Sequence, residues 1–201
     1  MSISTYAQLK TSIVSWLQVN TSDLSSIIDD LVTMRESRIM REAFCRDNEA
    51  ALSVAISAGV AALPTGYINL KYAYVSTTPL TKLERRSAEW IYQNTDRTGS
   101  GIPKFIGRDA SNFIFGPYPA VYTVTGVYYK NVGPLSTTLH NLFVNNPDLY
   151  LFACLAESEV VIGRDARIQL WEAKYQKILN DVNLLAKSED SSGGLLQVRA
   201  G

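Results

Sequence analysis

The apolar positions of this chain follow a helical period, then alternate, then return to a helical period. Leu9, Ile13, Trp16 and Leu17 recur at helical spacing behind a capping-box pair, Thr5 with Gln8, which predicts a first helix over about 5–18. The polar cluster at 20–23 reads as a turn that caps a second helix. There Leu24, Ile27, Ile28, Leu31 and Val32 form an apolar stripe that Ile39 and Phe44 extend, with no proline before Phe44. From about Ala50 the pattern turns strand-like: Leu52, Val54 and Ile56 alternate with small residues, and Ala58-Gly59 reads as a turn. Pro64 and Gly66 punctuate before an aromatic and β-branched run, Tyr67 to Val75. A short helix over 87–93 and a loop over 96–103 precede three more strand-like runs, 104–106, 112–115 and 121–129. The last alternates cleanly, with Tyr122, Val124, Gly126 and Tyr128 on one side. One antiparallel sheet inserted between helical segments is the simplest arrangement.

The helical period returns at Asn146, an expected N-cap before Pro147 and Asp148, which suit a helix start. The run 149–162 is apolar on nearly every side (Leu149, Leu151, Phe152, Leu155, Val160, Val161), which predicts a helix buried all round and ended by Gly163. A last helix over 165–187 spaces Ile168, Trp171, Tyr175, Ile178, Val182 and Leu185 by alternating threes and fours, a short heptad seam. Such a seam packs on a neighbouring helix of the same chain or makes a subunit contact. Beyond Lys187 the chain becomes linker-like, Ser188 to Gly194, and then offers Leu195, Leu196, Gln197 and Val198. That segment reads either as an inert tail or as a docking peptide that adds a strand to a partner. The expected fold class is therefore α+β. Its parts are a four-helix core formed by N-terminal and C-terminal helix pairs (1–47 and 140–187), an inserted antiparallel β-rich subdomain (48–139) and a flexible C-terminal arm (188–201).

Composition narrows the function classes. The 201 residues are 46% hydrophobic, enough for a real core, and 19 basic residues balance 19 acidic ones. Zero net charge does not suit a protein that holds nucleic acid by neutralising phosphates. Partners are expected to be proteins. Cys45 and Cys154 read as buried thiols of a reducing compartment, the N-terminus lacks the apolar core of a signal peptide, and no run reaches the roughly 18 apolar residues of a membrane span. A soluble product made in a cytoplasm is expected.

Catalytic signatures fail one by one. His140 is the single histidine, without a second histidine or a cysteine near it, so neither a zinc site nor a Ser-His-Asp triad is indicated. Thr98 to Gly101 is glycine-rich but lacks the lysine ending of a phosphate loop. Glu157 and Glu159 lie two apart on a helix and face different ways. Arg35, Arg38 and Arg41 recur every three residues, interleaved with Glu36 and followed by Glu42, reading as a solvated, locally paired face or as a basic stripe toward DNA or a partner. The 11 tyrosines cluster in the strand runs, which sheet packing explains, though a carbohydrate-binding face is the alternative.

The ordered motifs resemble the adaptor, or head-to-tail connector, proteins of tailed bacteriophages. The resemblance is carried by Tyr6-Ala7-Gln8-Leu9 with Trp16, by Arg35-Glu36-Ser37-Arg38-Ile39 with Arg41, by Gly101-Ile102-Pro103-Lys104-Phe105, by Phe113 to Pro119 with Tyr122 to Tyr129 and Leu135, and by Asn146-Pro147-Asp148-Leu149-Tyr150 before a Trp171-containing last helix. It spans about 4–187. Where this chain has Asn146, such proteins often have histidine, and either residue caps. The resemblance implies a non-enzymatic virion protein of the neck, without cofactor or metal. It would form a ring, commonly twelvefold, between the portal and a tail or nozzle protein, with DNA only passing through and no membrane involved. By position, Leu195 to Val198 would be the portal-binding arm. The runner-up reading is a virion-associated glycan hydrolase or carbohydrate-binding module using the tyrosine-rich sheet.

Overall fold

The computed structural model describes residues 3–18, 25–96, 101–118, 121–158, 163 and 165–191, with the side chains of 25–26 and 189–191 excepted. The chain divides into two compact units, 1–48 with 132–201, and 49–131. The architecture is α+β, with six α-helices and two four-stranded sheets among the described residues.

The first unit is helical. Helix α1 (Tyr6–Leu17) starts at Thr5, whose hydroxyl accepts from the Gln8 N–H. The Gln8 side chain reaches back to the Ser4 N–H, one residue earlier than a simple capping box, and also to the Ser4 hydroxyl. It stops where Gln18 takes a left-handed φ of 57° and its N–H returns to the Val14 carbonyl. Leu9, Ile13 and Leu17 are its buried face.

Helix α2 (Ser25–Glu42) buries Ile28, Leu31, Val32, Ile39 and Met40, but also Arg35 and Glu36. Ile27 and Phe44, expected on the same stripe, stay exposed, and Leu24 lies outside the described residues. A single 3-10 turn (Arg46–Asn48) follows.

After the second unit the chain re-enters the first, and the buried Leu135 donates its N–H to Glu36 Oε1 at 2.7 Å. A short helix that the pattern did not indicate, Asn141–Asn145 (α4, following α3 of the second unit), precedes α5 (Pro147–Ala156). Asn146 does not cap α5 with its side chain. Its N–H and its side-chain amide both return to the Leu142 carbonyl and so finish α4. Pro147 holds the first turn of α5 as expected.

Helix α5 is buried on almost every side (Leu149, Tyr150, Leu151, Ala153, Cys154, Leu155 and Ala156) and packs against α1, α2 and the last helix, α6 (Ala166–Ser191). Each such aliphatic side chain contributes about 1.5–3 kcal/mol of burial. The helix ends at Ala156. The stretch 159–162, expected to continue it, lies outside the described residues, and Gly163 has a φ of 69°.

The second unit is built on eight strands: β1 (Glu49–Ala55), β2 (Val60–Ala62), β3 (Tyr67–Val75), β4 (Thr81–Lys82), β5 (Glu84–Arg85), then α3 (Ala88–Asn94), β6 (Phe105–Asp109), β7 (Asn112–Gly116) and β8 (Thr123–Lys130). They form two sheets instead of the single expected one, ordered β1-β8-β3-β4 and β2-β7-β6-β5. The β5–β6 pair is parallel and the others antiparallel. Short chain connections link the edge strands of the two sheets. At one, Ala58-Gly59 turns β1 into β2 with both φ positive (49° and 74°), the geometry of a two-residue hairpin. At the other, only Leu83 separates β4 from β5. Leu52, Val75, Val124 and Tyr128 of one sheet meet Ala61, Ile106, Phe113 and Phe115 of the other in one core. Gly126 of β8 lies opposite Leu52 and Ala73, and a Cβ there would meet the Tyr72 carbonyl and sit 2.8 Å from Ala73 Cα. A glycine is required at that close approach.

Candidate interaction elements

The heptad seam on α6 is largely spent within its own unit. Trp171 and Tyr175 are buried, Ile168, Ile178 and Val182 are half-buried, and Leu185 is 64% exposed. Leu179, absent from the expected seam, is buried instead. An undistorted α-helix drifts about 20° per heptad from a strict seven-residue repeat, which carries the buried face toward Leu179 and leaves Leu185 outside.

A polar network joins α2 to α6. Arg38 grips Glu172 with both terminal nitrogens, at 3.2 and 2.5 Å, and bonds Glu42 through Nε at 2.9 Å. Arg35 is buried, pairs closely with Glu157 and lies 3.8 Å from Glu172. Tyr175 lies under the Arg38 guanidinium and donates its hydroxyl to Glu42 Oε2 at 2.7 Å. The Glu172 bond drives the Arg38 pKa upward. At Glu172 itself desolvation pushes upward, but the hydrogen bonds from Arg38 and Gln176 outweigh it and hold the carboxyl below its ordinary value. Burial, with the Glu42 bond, pushes the Tyr175 phenol up. Asn183 closes the lower end of the seam: its amide donates to the Glu42 carbonyl at 3.0 Å and accepts the Phe44 N–H at 3.0 Å.

Arg35, Arg38 and Arg41 therefore do not form one outward basic stripe. Arg35 and Arg38 turn inward to carboxylates, and of the three only Arg41 is exposed. The local pairing expected of the arginine series holds for Arg38 with Glu42, but the sequence signals gave no notice of Glu172 or Asn183, whose partners stand more than a hundred residues away.

The basic surplus lies elsewhere. Residues 49–131 carry eight lysines and arginines against five acidic residues, a net +3, and the rest of the chain carries −3. In the β unit Arg85, Arg86 and Arg108 surround a cavity of about 260 Å³ with Tyr67.

His140 is buried beside the Tyr150 hydroxyl at 3.4 Å and Glu36 at 3.7 Å. Both thiols are free and buried, and burial pushes their pKa values up. Among the described residues no cluster of three or more histidine, cysteine, aspartate or glutamate residues could hold a metal ion. Of the strand tyrosines, Tyr128 is buried, and Tyr67 stacks on it and meets Phe113 edge-on. Tyr72 is 40% exposed and packs edge-on against Tyr74. Among the described residues no helix is long and apolar enough to cross a membrane.

This arrangement offers surfaces for protein contact, and comparison with known families gives them a setting. The chain matches the family model described as SU10 adaptor protein over residues 4–199. It belongs to that family. The members are phage head–tail adaptors, so the chain is a structural adaptor of a phage, and the family implies a place in the virion and contact with other virion components. The match runs past Lys187 and takes in Leu195, Leu196, Gln197 and Val198, which lie outside the described residues. No curated protein matches the chain.

Proposed function

We propose that this adaptor joins the portal to the tail by forming a ring, expected to be twelvefold, around the channel through which DNA passes. The observation that carries the reading is the family match, which extends over nearly the whole chain, 4–199, and not over one motif. The helical unit supplies contacts between subunits. Because Trp171 and Tyr175 are packed inside it, those contacts fall to outward residues, among them Leu185 on α6 and Ile27, Met34 and Arg41 on α2. Leu195, Leu196, Gln197 and Val198 are the arm that engages the portal by adding a strand to it. The β unit meets the tail or nozzle protein. Its arginines, Arg85, Arg86 and Arg108, and not the Arg35–Arg38–Arg41 series, provide the basic surface near passing DNA. The protein works by burying complementary surface and performs no turnover.

Native mass measurement of the pure chain, alone and mixed with its portal, tests this. The reading expects a small species alone and a ring-sized complex with portal. No association with portal, together with release of cell-wall fragments by the chain, would overturn it in favour of a glycan hydrolase.

A further inference from the structure

Strand β1 (Glu49–Ala55) forms one edge of its sheet and pairs there only with β8. The hairpin that leaves it shows which of its main-chain groups point away from β8. Ile56 donates its N–H to the Tyr122 carbonyl at 2.8 Å, on the β8 side. Ser57 points the other way and exchanges two hydrogen bonds with Val60 of β2, at 2.9 and 3.0 Å. These directions alternate residue by residue along an antiparallel strand, so Ala51, Ser53 and Ala55 turn their N–H and C=O groups outward, as Ser57 does. The same three are the exposed residues of β1, and none of their main-chain groups meets a partner among the described residues. Beyond the Ser57–Val60 bridge, β2 leaves this edge and pairs with β7.

The edge also lacks the features that keep natural edges from pairing. β1 contains no lysine, arginine, proline or glycine, and its one charge, Glu49, is taken up by Lys71 at 2.7 Å. Its register against β8 runs unbroken from Glu49 to Ala55, without a bulge. The exposed side chains are only alanine, serine and alanine, which leave room for larger neighbours. Such an edge is a template for one more strand.

We propose that a strand of the tail or nozzle protein completes this edge when the adaptor is assembled. The occupant is an extended main chain, because the edge presents donors and acceptors repeating every second residue, about 7 Å apart. A second copy of the chain does not supply that strand in a ring. The other sheet edges, β2, β4 and β5, are three, two and two residues long, too short to match the seven of β1. Pairing β1 with a copy of β1 gives a two-fold contact that closes on itself. A different polypeptide is left, and naming it as the tail side rests on the reading that the β unit meets the tail or nozzle protein. The incoming strand carries apolar residues at alternate positions, where it continues the side of Ala50, Leu52 and Val54 over the core. It has no proline where its N–H bonds β1.

Ser53→Pro tests the pairing at a position where the fold does not use the N–H. Proline there removes an outward donor, while Leu52 and Val54 keep their bonds to β8. Ser53→Lys keeps the N–H and sets a charge on the edge, so it serves as a second variant, and circular dichroism checks that both are folded. Binding of the purified tail or nozzle protein of the same phage, read by titration calorimetry, should weaken about tenfold or more in each variant. Hydrogen exchange of the native chain followed by mass spectrometry gives a readout free of substitutions. Ala51, Ser53 and Ala55 should exchange fast in the free adaptor, and the segment 49–56 should gain protection in the complex. Native affinity in both variants, or no added protection over 49–56, would overturn the proposal and leave the meeting of β unit and tail intact. Failure of the native chain to bind the tail protein would overturn that meeting, and this occupant with it. A dimer of the pure chain that Ser53→Pro dissociates would also overturn the proposal, since the occupant would then be a second copy.

Discussion

Asn183→Ala isolates the contact that fastens the end of α2 to α6. In the native chain the Asn183 amide donates to the carbonyl of Glu42, the last residue of α2, and accepts from the Phe44 N–H just beyond it, both at 3.0 Å. The last carbonyls of a helix have no intrahelical donor, so this side chain acts as a cap supplied from another helix. Two neutral hydrogen bonds are worth about 1–3 kcal/mol net, and the partial exposure at Phe44 places the expected loss at about 1–2 kcal/mol, because water replaces part of what is removed. For a chain of this length that is a drop of about 2–8 °C in Tm. Denaturant unfolding followed by far-ultraviolet circular dichroism reads it. Asn183→Asp keeps the acceptor for Phe44 but loses the donor and sets a negative charge at the negative end of α2, so it should be no better than alanine. Alanine within about 0.3 kcal/mol of the native chain, or an aspartate variant as stable as asparagine, would refute the reasoning.

Glu172→Gln should destabilise the helical unit in a pH-dependent way. The folded pKa of Glu172 is held below its ordinary value, so its contribution is present above the unfolded value and is lost as pH falls through the folded one. The gap in stability between native and variant protein should therefore close in acid, and a gap that widens there would contradict the network. Gly126→Ala should cost about 1–3 kcal/mol or more, because the added methyl meets the Tyr72 carbonyl and Ala73. Thermal unfolding of the β unit, followed by near-ultraviolet dichroism of its tyrosines, measures that loss. Cys45 and Cys154 should both resist a thiol reagent in the folded protein and react after unfolding, since burial keeps each thiol protonated. Rapid labelling of Cys154 in the native state would contradict the packing of α5.

Local signals were readable and distant ones were not. Thr5 with Gln8, Pro147, Ala58-Gly59 and the Tyr67–Val75 run act through neighbours a few residues away, and each element stands close to where the pattern puts it. Splitting into two sheets depends on how β8 and β7 choose partners across the unit, which alternation does not encode. The two-residue strands β4 and β5 are too short for a period to register. Asn146 looked like an N-cap because the pattern did not reveal α4 before it, and the side chain serves that helix instead. Arg35 and Arg38 looked like surface charges because Glu157 and Glu172, which draw them inward, come from the far end of the chain. The heptad seam was legible as a seam, while its packing on α5 and the bond from Tyr175 to Glu42 of α2 were not.

Electron microscopy of the adaptor mixed with its portal tests the central claim most directly. The account predicts a ring of adaptor subunits seated on the portal, coaxial with an open channel, with density for the Leu195–Val198 segment running against a portal strand. Portal particles that stay bare in the presence of excess folded adaptor would contradict it.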